Sequence, residues 1–239
     1  MPKTKNSLWE PPFPFPRDAE DLPSKGILAA TPALVNSLKK NAPEPLDRLA
    51  TFFMLGGTTV YCGRDYFLAG PVLGSPMAVM ALEVLMGGGA ETVIFTGFAG
   101  SLVPELKLGD IFLPDRALST EGTSAHYSPD LTPDAELYES LQRKALRKGI
   151  FHPGTIWTTD GPFRETKVLR EASMKSGAKA VEMEVSALYS AAKFRGIKLA
   201  SIILITDIFS GEEWTEGFKS QAYKDGLNTL CSLAWEAVS

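Results

Sequence analysis

Histidine and cysteine are both scarce in this chain. Among 239 residues there are two histidines, His126 and His152, and two cysteines, Cys62 and Cys231. Two histidines with no cysteine nearby in sequence are too few for a His-rich metal centre, and without CxxC spacing neither a zinc site nor a disulfide framework is expected. No metal is therefore expected. Free thiols in a reducing, cytoplasmic setting are the reading that fits. Long apolar runs are also missing: no stretch approaches the roughly 20 residues that cross a bilayer, and the opening MPKTKNSLWEPPFPFP reads as no signal peptide because it has no apolar core. Positive charge is not in excess. Lys and Arg number 24 against 28 Asp and Glu, a net charge of −4, so there is no basic field for nucleic acid or for an anionic membrane, although a local site can still hold a small anion. The phosphate-cradling GxxxxGK[ST], the nucleophile elbow GxSxG and the metal-binding HExxH are all absent.

What is present is ordinary for a soluble globular protein, 44% hydrophobic and 22% charged, and the length suits one large domain. Residues 1–24 are proline-rich and resist both helix and sheet, so they read as an arm preceding a single domain over 25–239; Trp9, Phe13 and Phe15 on it call for a surface to pack against. From there the text alternates strand-like and helix-like segments, the grammar of an α/β fold. Strands are expected at 26–30, 50–55, 58–62, 65–70, 92–96, 110–114, 154–159 and 199–206, and helices at 32–40, 75–86, 134–147, 164–175, 183–195 and 216–237. TVIFT and ASIILIT, apolar on both faces, suit central strands covered on both sides. YCGRDYF reads as a hairpin through Gly63–Asp65, which makes the sheet mixed.

Two places carry candidate chemistry. Asp207 follows ASIILIT at the C-terminal end of an expected central strand, where open α/β sheets place their ligands; burial beside another acid would keep a carboxyl protonated and able to act as a general acid. In AVEMEVSALYSAA, Glu182 and Glu184 flank Met183 at the start of a helix. An ionised Glu184 facing a cleft can accept two hydrogen bonds from a vicinal diol such as that of ribose. The plainer alternative is that both glutamates cap the helix and Asp207 opens a turn. FTGFAGSL places Gly97 and Gly100 after a strand, without a full dinucleotide fingerprint, so on its own it reads as a tight strand exit. MGGGAE reads as a helix terminus.

VEMEVSALY, FTGFAGSLVPELKLGDIFLP, EGTSAHY, TTDGPFRE and ILITD occur in an order and spacing that resemble the nucleoside phosphorylase family, which includes purine nucleoside phosphorylases, uridine phosphorylases and methylthioadenosine/S-adenosylhomocysteine nucleosidases. The resemblance covers about residues 25–237. It implies a three-layer α/β/α sandwich around a mixed, partly barrel-like sheet, a small-molecule nucleoside as substrate, no cofactor, and a homo-oligomer, dimer or hexamer. It assigns Glu184 to the ribose hydroxyls, with Met183 beneath the sugar and Glu182 supporting the loop. Asp207 matches the acid directed at N7 in purine-cleaving members. Phe163 is the candidate stacking ring, with Asp160 or Arg164 near the base edge.

On the nucleophile side the chain departs from the family. Phosphorylases hold phosphate with a Gly-Asp-Pro-x-Arg loop, an Arg two residues before the turn glycine, a Ser or Thr just after it, and an Arg from a neighbouring subunit. Here the loop is AATPALV, Phe95 and Phe98 surround Gly97, and GGTTVY stands where the crossing Arg is expected. Phosphate as co-substrate is thereby put in doubt. The nucleosidase subclass is not matched in full either, since Leu34 lies near the position of its water-activating Glu. The expected activity is cleavage of a nucleoside N-glycosidic bond, purine-leaning, by phosphorolysis or hydrolysis; a uridine phosphorylase-like enzyme and a catalytically weak nucleoside-binding homologue are the alternatives.

Overall fold

A computed structural model of the chain describes residues 22–52, 55–149, 152–210 and 213–239. Most of the expected arm, with Trp9, Phe13 and Phe15, lies outside the described residues. Its last residues already belong to the body: Leu22 is buried, its N–H donates to the Gly88 carbonyl, and the Ser24 carbonyl accepts from the N–H groups of Glu91 and Thr92.

The elements run in the order β1 (Lys25–Ala29), α1 (Pro32–Lys40), β2 (Asp47–Phe52), β3 (Thr58–Cys62), β4 (Phe67–Gly70), α2 (Ser75–Gly87), β5 (Thr92–Ser101), β6 (Ile111–Ser119), α3 (Ala135–Arg147), β7 (His152–Thr158), α4 (Lys167–Lys175), β8 (Ala178–Glu182), α5 (Val185–Arg195), β9 (Lys198–Ser210), β10 (Glu213–Glu216) and α6 (Gln221–Val238). The strands form one mixed sheet in the order β10-β9-β6-β7-β8-β5-β1-β4-β3-β2, and an additional β5–β9 pairing closes β5, β9, β6, β7 and β8 into a five-stranded ring. This is the mixed, partly barrel-like sheet that the motifs implied. The β3–β4 hairpin is antiparallel, as YCGRDYF suggested.

The helix starts follow from their caps. Thr31, Asp134, Thr166 and Ser220 each accept, through a side-chain oxygen, the N–H three residues on, satisfying one otherwise orphaned donor. The β1–α1–β2 and β4–α2–β5 crossovers step in opposite directions across the sheet. Right-handed connections therefore put α1 and α2 on opposite faces, α2 packing with α5 and α1 with α6. Between these layers β5 and β9 run parallel through the core. Ile202, Ile203, Leu204 and Ile205 are fully buried in succession, each contributing roughly 1.5–3 kcal/mol of apolar burial.

β6 runs on to Ser119 and α4 begins only at Lys167, and three further expectations change. β5 does not stop at residue 96 but continues to Ser101, because Gly97 and Gly100 stay in the ladder with β9 and the irregularity is a bulge between Ala99 and Gly100; Gly97 is therefore a strand residue and not a turn. β8 and β10 were not foreseen. AKAVE is a short run that merges with the helix pattern after it, and EWTE is exposed along its whole length, so neither shows the periodicity of a buried strand. The final helix begins at Gln221, behind its Ser220 cap, and not at 216, since residues 213–216 pair with β9.

Candidate active site

The site forms where β8, β5 and β9 meet. Gly100 on β5 pairs with Val181 on β8 and with Asp207 on β9, so the ladder sets the end of ILITD beside the start of VEMEVSALY. Gly100 is needed there: a Cβ on it would fall 2.7 Å from Asp207 Oδ2. Asp207 is held from two sides, Oδ2 accepting from the Trp214 indole N–H at 2.9 Å and Oδ1 from the Thr206 hydroxyl at 2.9 Å. Trp214 reaches it because β10 folds back antiparallel on β9.

Asp207 borders a cavity of about 470 Å3. Five aromatic rings, Phe98, Phe163, Phe209, Trp214 and Phe218, line it together with Met183, the acids Glu165 and Glu182, and smaller residues that include Ala99, Gly100 and Thr206. Phe98 meets Phe218 and Tyr223 edge-on, at centroid distances of 6.1 and 5.9 Å. The expected stacking ring Phe163 stands at the rim and is 99% exposed.

The two glutamates around Met183 have separated roles. Glu182 is part of the cavity lining, and its carboxylate serves the start of α5: Oε1 accepts from the Thr158 hydroxyl, and Oε2 from the N–H groups of Glu184 at 2.6 Å and Val185 at 2.9 Å. Those are N–H groups that a helix start leaves unpaired. Glu184 does not line the cavity. It is 3% exposed, and its Oε1 accepts the Gly74 N–H at 2.6 Å. This corrects the expectation of a Glu184 open to a cleft: Gly74, at φ +83° in front of α2, offers a free amide that the side chain takes instead of solvent. Met183 is anchored from the same place, its carbonyl accepting from the Ser75 hydroxyl at 2.8 Å. Burial raises the pKa of both carboxyls, against the hydrogen bonds given to Glu182, and repulsion from Glu182 raises that of Glu184 further.

Asp160 and Arg164 are not brought to the cavity. Asp160 Oδ2 accepts from the Gly122 N–H at 3.2 Å, tying the two loops together, while Arg164 lies in the short 3-10 turn Pro162–Arg164 with its side chain outward. EGTSAHY is a structural staple: buried Glu121 accepts from the Ser119 and Ser186 hydroxyls and from the N–H groups of Thr123 and Ser124. On the nucleophile side Phe95 is wholly buried, as is Leu34. Arg64 pairs with its neighbour Asp65 in the exposed hairpin. Among the described residues, no group of three or more His, Cys, Asp or Glu is arranged to hold a metal.

Sequence reasoning missed Glu165, Phe209, Trp214 and Phe218. Glu165 closes TTDGPFRE and was visible as part of that motif; the three aromatics follow the last expected strand, and only the β9–β10 hairpin turns them toward Asp207.

The phosphorylase superfamily model matches residues 24–239. The chain belongs to the phosphorylase superfamily. Similar sequences in this superfamily include DeoD-type purine nucleoside phosphorylases of Jannaschia sp., 28% identical over 190 residues, and of Bacillus cereus, 27% identical over 191 residues; each alignment covers 77% of this chain and 80% of the relative. Among solved superfamily folds, a uridine phosphorylase from Vibrio fischeri aligns with a TM-score of 0.80 over 98% of both chains at 20% identity. A purine nucleoside phosphorylase from Toxoplasma gondii in complex with immucillin-H aligns with a TM-score of 0.79 over 91% of both, also at 20% identity.

Proposed function

We propose that this superfamily member cleaves the N-glycosidic bond of a nucleoside, with a preference for purines. The observation that carries the reading is one cavity with a fixed carboxyl, Asp207, on one wall and the Glu182–Met183 segment on another, joined by aromatic surface. Breaking a C–N glycosidic bond builds positive charge on the sugar and negative charge on the departing base, so an acid is needed at the base and oxygens around the ribose. Asp207 is directed at the base, whose flat face suits the aromatic walls. Met183 lies under the sugar. Glu182 meets the ribose hydroxyls from the cavity wall, and Glu184 joins it by exchanging its Gly74 bond for the diol. The purine preference rests on Asp207 and on the purine nucleoside phosphorylases among the relatives.

One observation favours water over phosphate as acceptor. The described residues lining the cavity include three carboxylic acids and no Lys, Arg or His, and a phosphate entering such a site loses its hydration without a compensating cation. The same proposal includes a cytoplasmic homo-oligomer, dimer or hexamer, in which a neighbouring copy covers the exposed aromatic rim of Phe163, Trp214 and Phe218, and no cofactor.

The test is a panel of purine and pyrimidine nucleosides with and without phosphate, followed by chromatography for free base. Base release independent of phosphate supports hydrolysis and phosphate-dependent release supports phosphorolysis. Asp207→Asn lowers turnover by roughly 10²- to 10⁴-fold if it is the acid. No base release from any nucleoside refutes the proposed activity.

A further inference from the structure

Glu121 lies outside the cavity lining, yet a line of buried hydrogen bonds connects it to the sugar wall. The ladder sets three strand ends side by side: Ser119 on β6 pairs with Thr158 on β7, and Thr158 pairs with Glu182 on β8. Glu121 is fixed by its own loop, accepting the Ser119 hydroxyl at 2.8 Å and the N–H groups of Thr123 and Ser124 at 2.5 and 3.1 Å. The Ser186 hydroxyl, in the first turn of α5, donates to the same carboxylate at 2.9 Å. Ser186 is also held through its main chain, its N–H donating to Thr158 Oγ1 at 2.9 Å. That bond fixes the direction of the next one. A backbone N–H can only donate, so it takes a lone pair of Thr158 Oγ1, and the single hydroxyl proton goes to Glu182 Oε1 at 2.5 Å.

We propose that Glu121 is a positioning residue for sugar recognition, acting through Ser186 and Thr158 to set Glu182 Oε1 in the cavity wall. The proposal rests on the nucleoside reading, in which Glu182 meets the ribose hydroxyls. Glu182 Oε2 already accepts two N–H groups, so the capacity left for a sugar hydroxyl is on Oε1, which accepts the one Thr158 hydroxyl. The two N–H groups hold one end of the carboxylate and Thr158 holds the other. Its plane, and with it the direction of the remaining lone pair, is therefore set by Thr158.

Glu121, Thr158, Glu182 and Ser186 are all buried, so bulk water does not stand in for a lost partner and a missing bond is felt along the line. Asp207 is held separately, by Trp214 and Thr206. Loss of the line is thus expected to weaken recognition of the sugar and to spare that of the base.

Calorimetric binding of 9-deazaadenosine, whose C–C bond to the sugar resists cleavage, and of free 9-deazaadenine separates the two halves of the site. Glu121→Gln and Thr158→Val, checked for folding by circular dichroism, are expected to weaken 9-deazaadenosine binding about tenfold or more and to leave 9-deazaadenine within about twofold. Thr158→Ser keeps the hydroxyl and is expected to bind both ligands as the wild type does. Equal losses for nucleoside and free base mean general loosening and overturn the proposal, as does a Thr158→Ser variant as weak as Thr158→Val. If Glu121→Gln does not fold, Ser186→Ala, which removes only the hydroxyl given to Glu121, decides the matter by the same comparison. Variants that bind 9-deazaadenosine as tightly as the wild type overturn this inference and leave the nucleoside reading standing, whereas a wild-type protein that does not bind the nucleoside removes both.

Discussion

Replacing Gly100 by alanine moves Asp207 while leaving its chemistry intact. The added Cβ would lie 2.7 Å from Asp207 Oδ2 and 3.0 Å from Phe209 Cε2, whereas ordinary contact begins near 3.4 Å, so the oxygen must retreat by about 0.7 Å. That oxygen also accepts the Trp214 indole N–H at 2.9 Å, and the retreat strains or breaks this bond. Overpacking of this kind costs roughly 1–3 kcal/mol of stability, and misplacing a reacting group by about 1 Å costs roughly 10²-fold in rate. Gly100→Ala is therefore expected to unfold at lower urea, with a loss of about 1–3 kcal/mol, and to release base about 30- to 100-fold more slowly. Leu141→Ala is the control: Leu141 is buried on α3 outside the cavity lining, so its variant loses about 2–5 kcal/mol but keeps the turnover of its folded fraction. Gly100→Ala with wild-type turnover would refute the reasoning that the position of Asp207 sets the rate.

Three further outcomes are expected. Burial opposes ionisation of Glu121, but hydrogen bonds from Ser124, Ser119 and Ser186 outweigh it and hold its carboxyl below the usual range. Its contribution is present above the ordinary carboxylate pKa and is lost as pH falls through the lower folded value, and Glu121→Gln, which turns an amide NH2 toward N–H donors, costs about 2–4 kcal/mol in urea unfolding at pH 7; a loss under 0.5 kcal/mol would contradict the staple. Glu165 has the opposite sign: with its folded pKa raised to about 7 from 4.5, the native state holds the extra proton, so its part of the stability falls as pH rises from about 4.5 through 7, and Glu165→Gln gains about 1–2 kcal/mol at pH 8, after discounting for partial exposure, and nothing at pH 4. Burial pushes the Cys231 thiol up to about 12 while Cys62 is half-buried, so a thiol reagent at pH 8 labels one cysteine in the native protein and two in denaturant; fast labelling of both natively would show that α6 opens.

The long elements were legible in the sequence because each carries its own period: ASIILIT is apolar on both faces, and the helices behind Thr31 and Asp134 start within a residue of where they were expected, whereas those behind Thr166 and Ser220 start three and five residues later than expected. The superfamily was legible for a related reason, since Asp207, Glu184 and the glycines of FTGFAGSL lie within short motifs whose spacing survives without coordinates. Which acid faces the cavity was not. The motif pointed to Glu184 as the acid at the cleft and to Glu182 as its support, but the Gly74 amide, 110 residues earlier in the chain, holds Glu184 while Glu182 is the one in the cavity lining. Nor could the sequence place Trp214 on Asp207 or Glu165 in the same cavity, because an edge strand exposed along its length and a residue after a 3-10 turn have no pattern of their own. Local periodicity and capping act over a few residues and are written in the chain. The partners of a buried carboxyl are set by whichever distant donors the closed sheet brings within about 3 Å, and that only the tertiary structure decides.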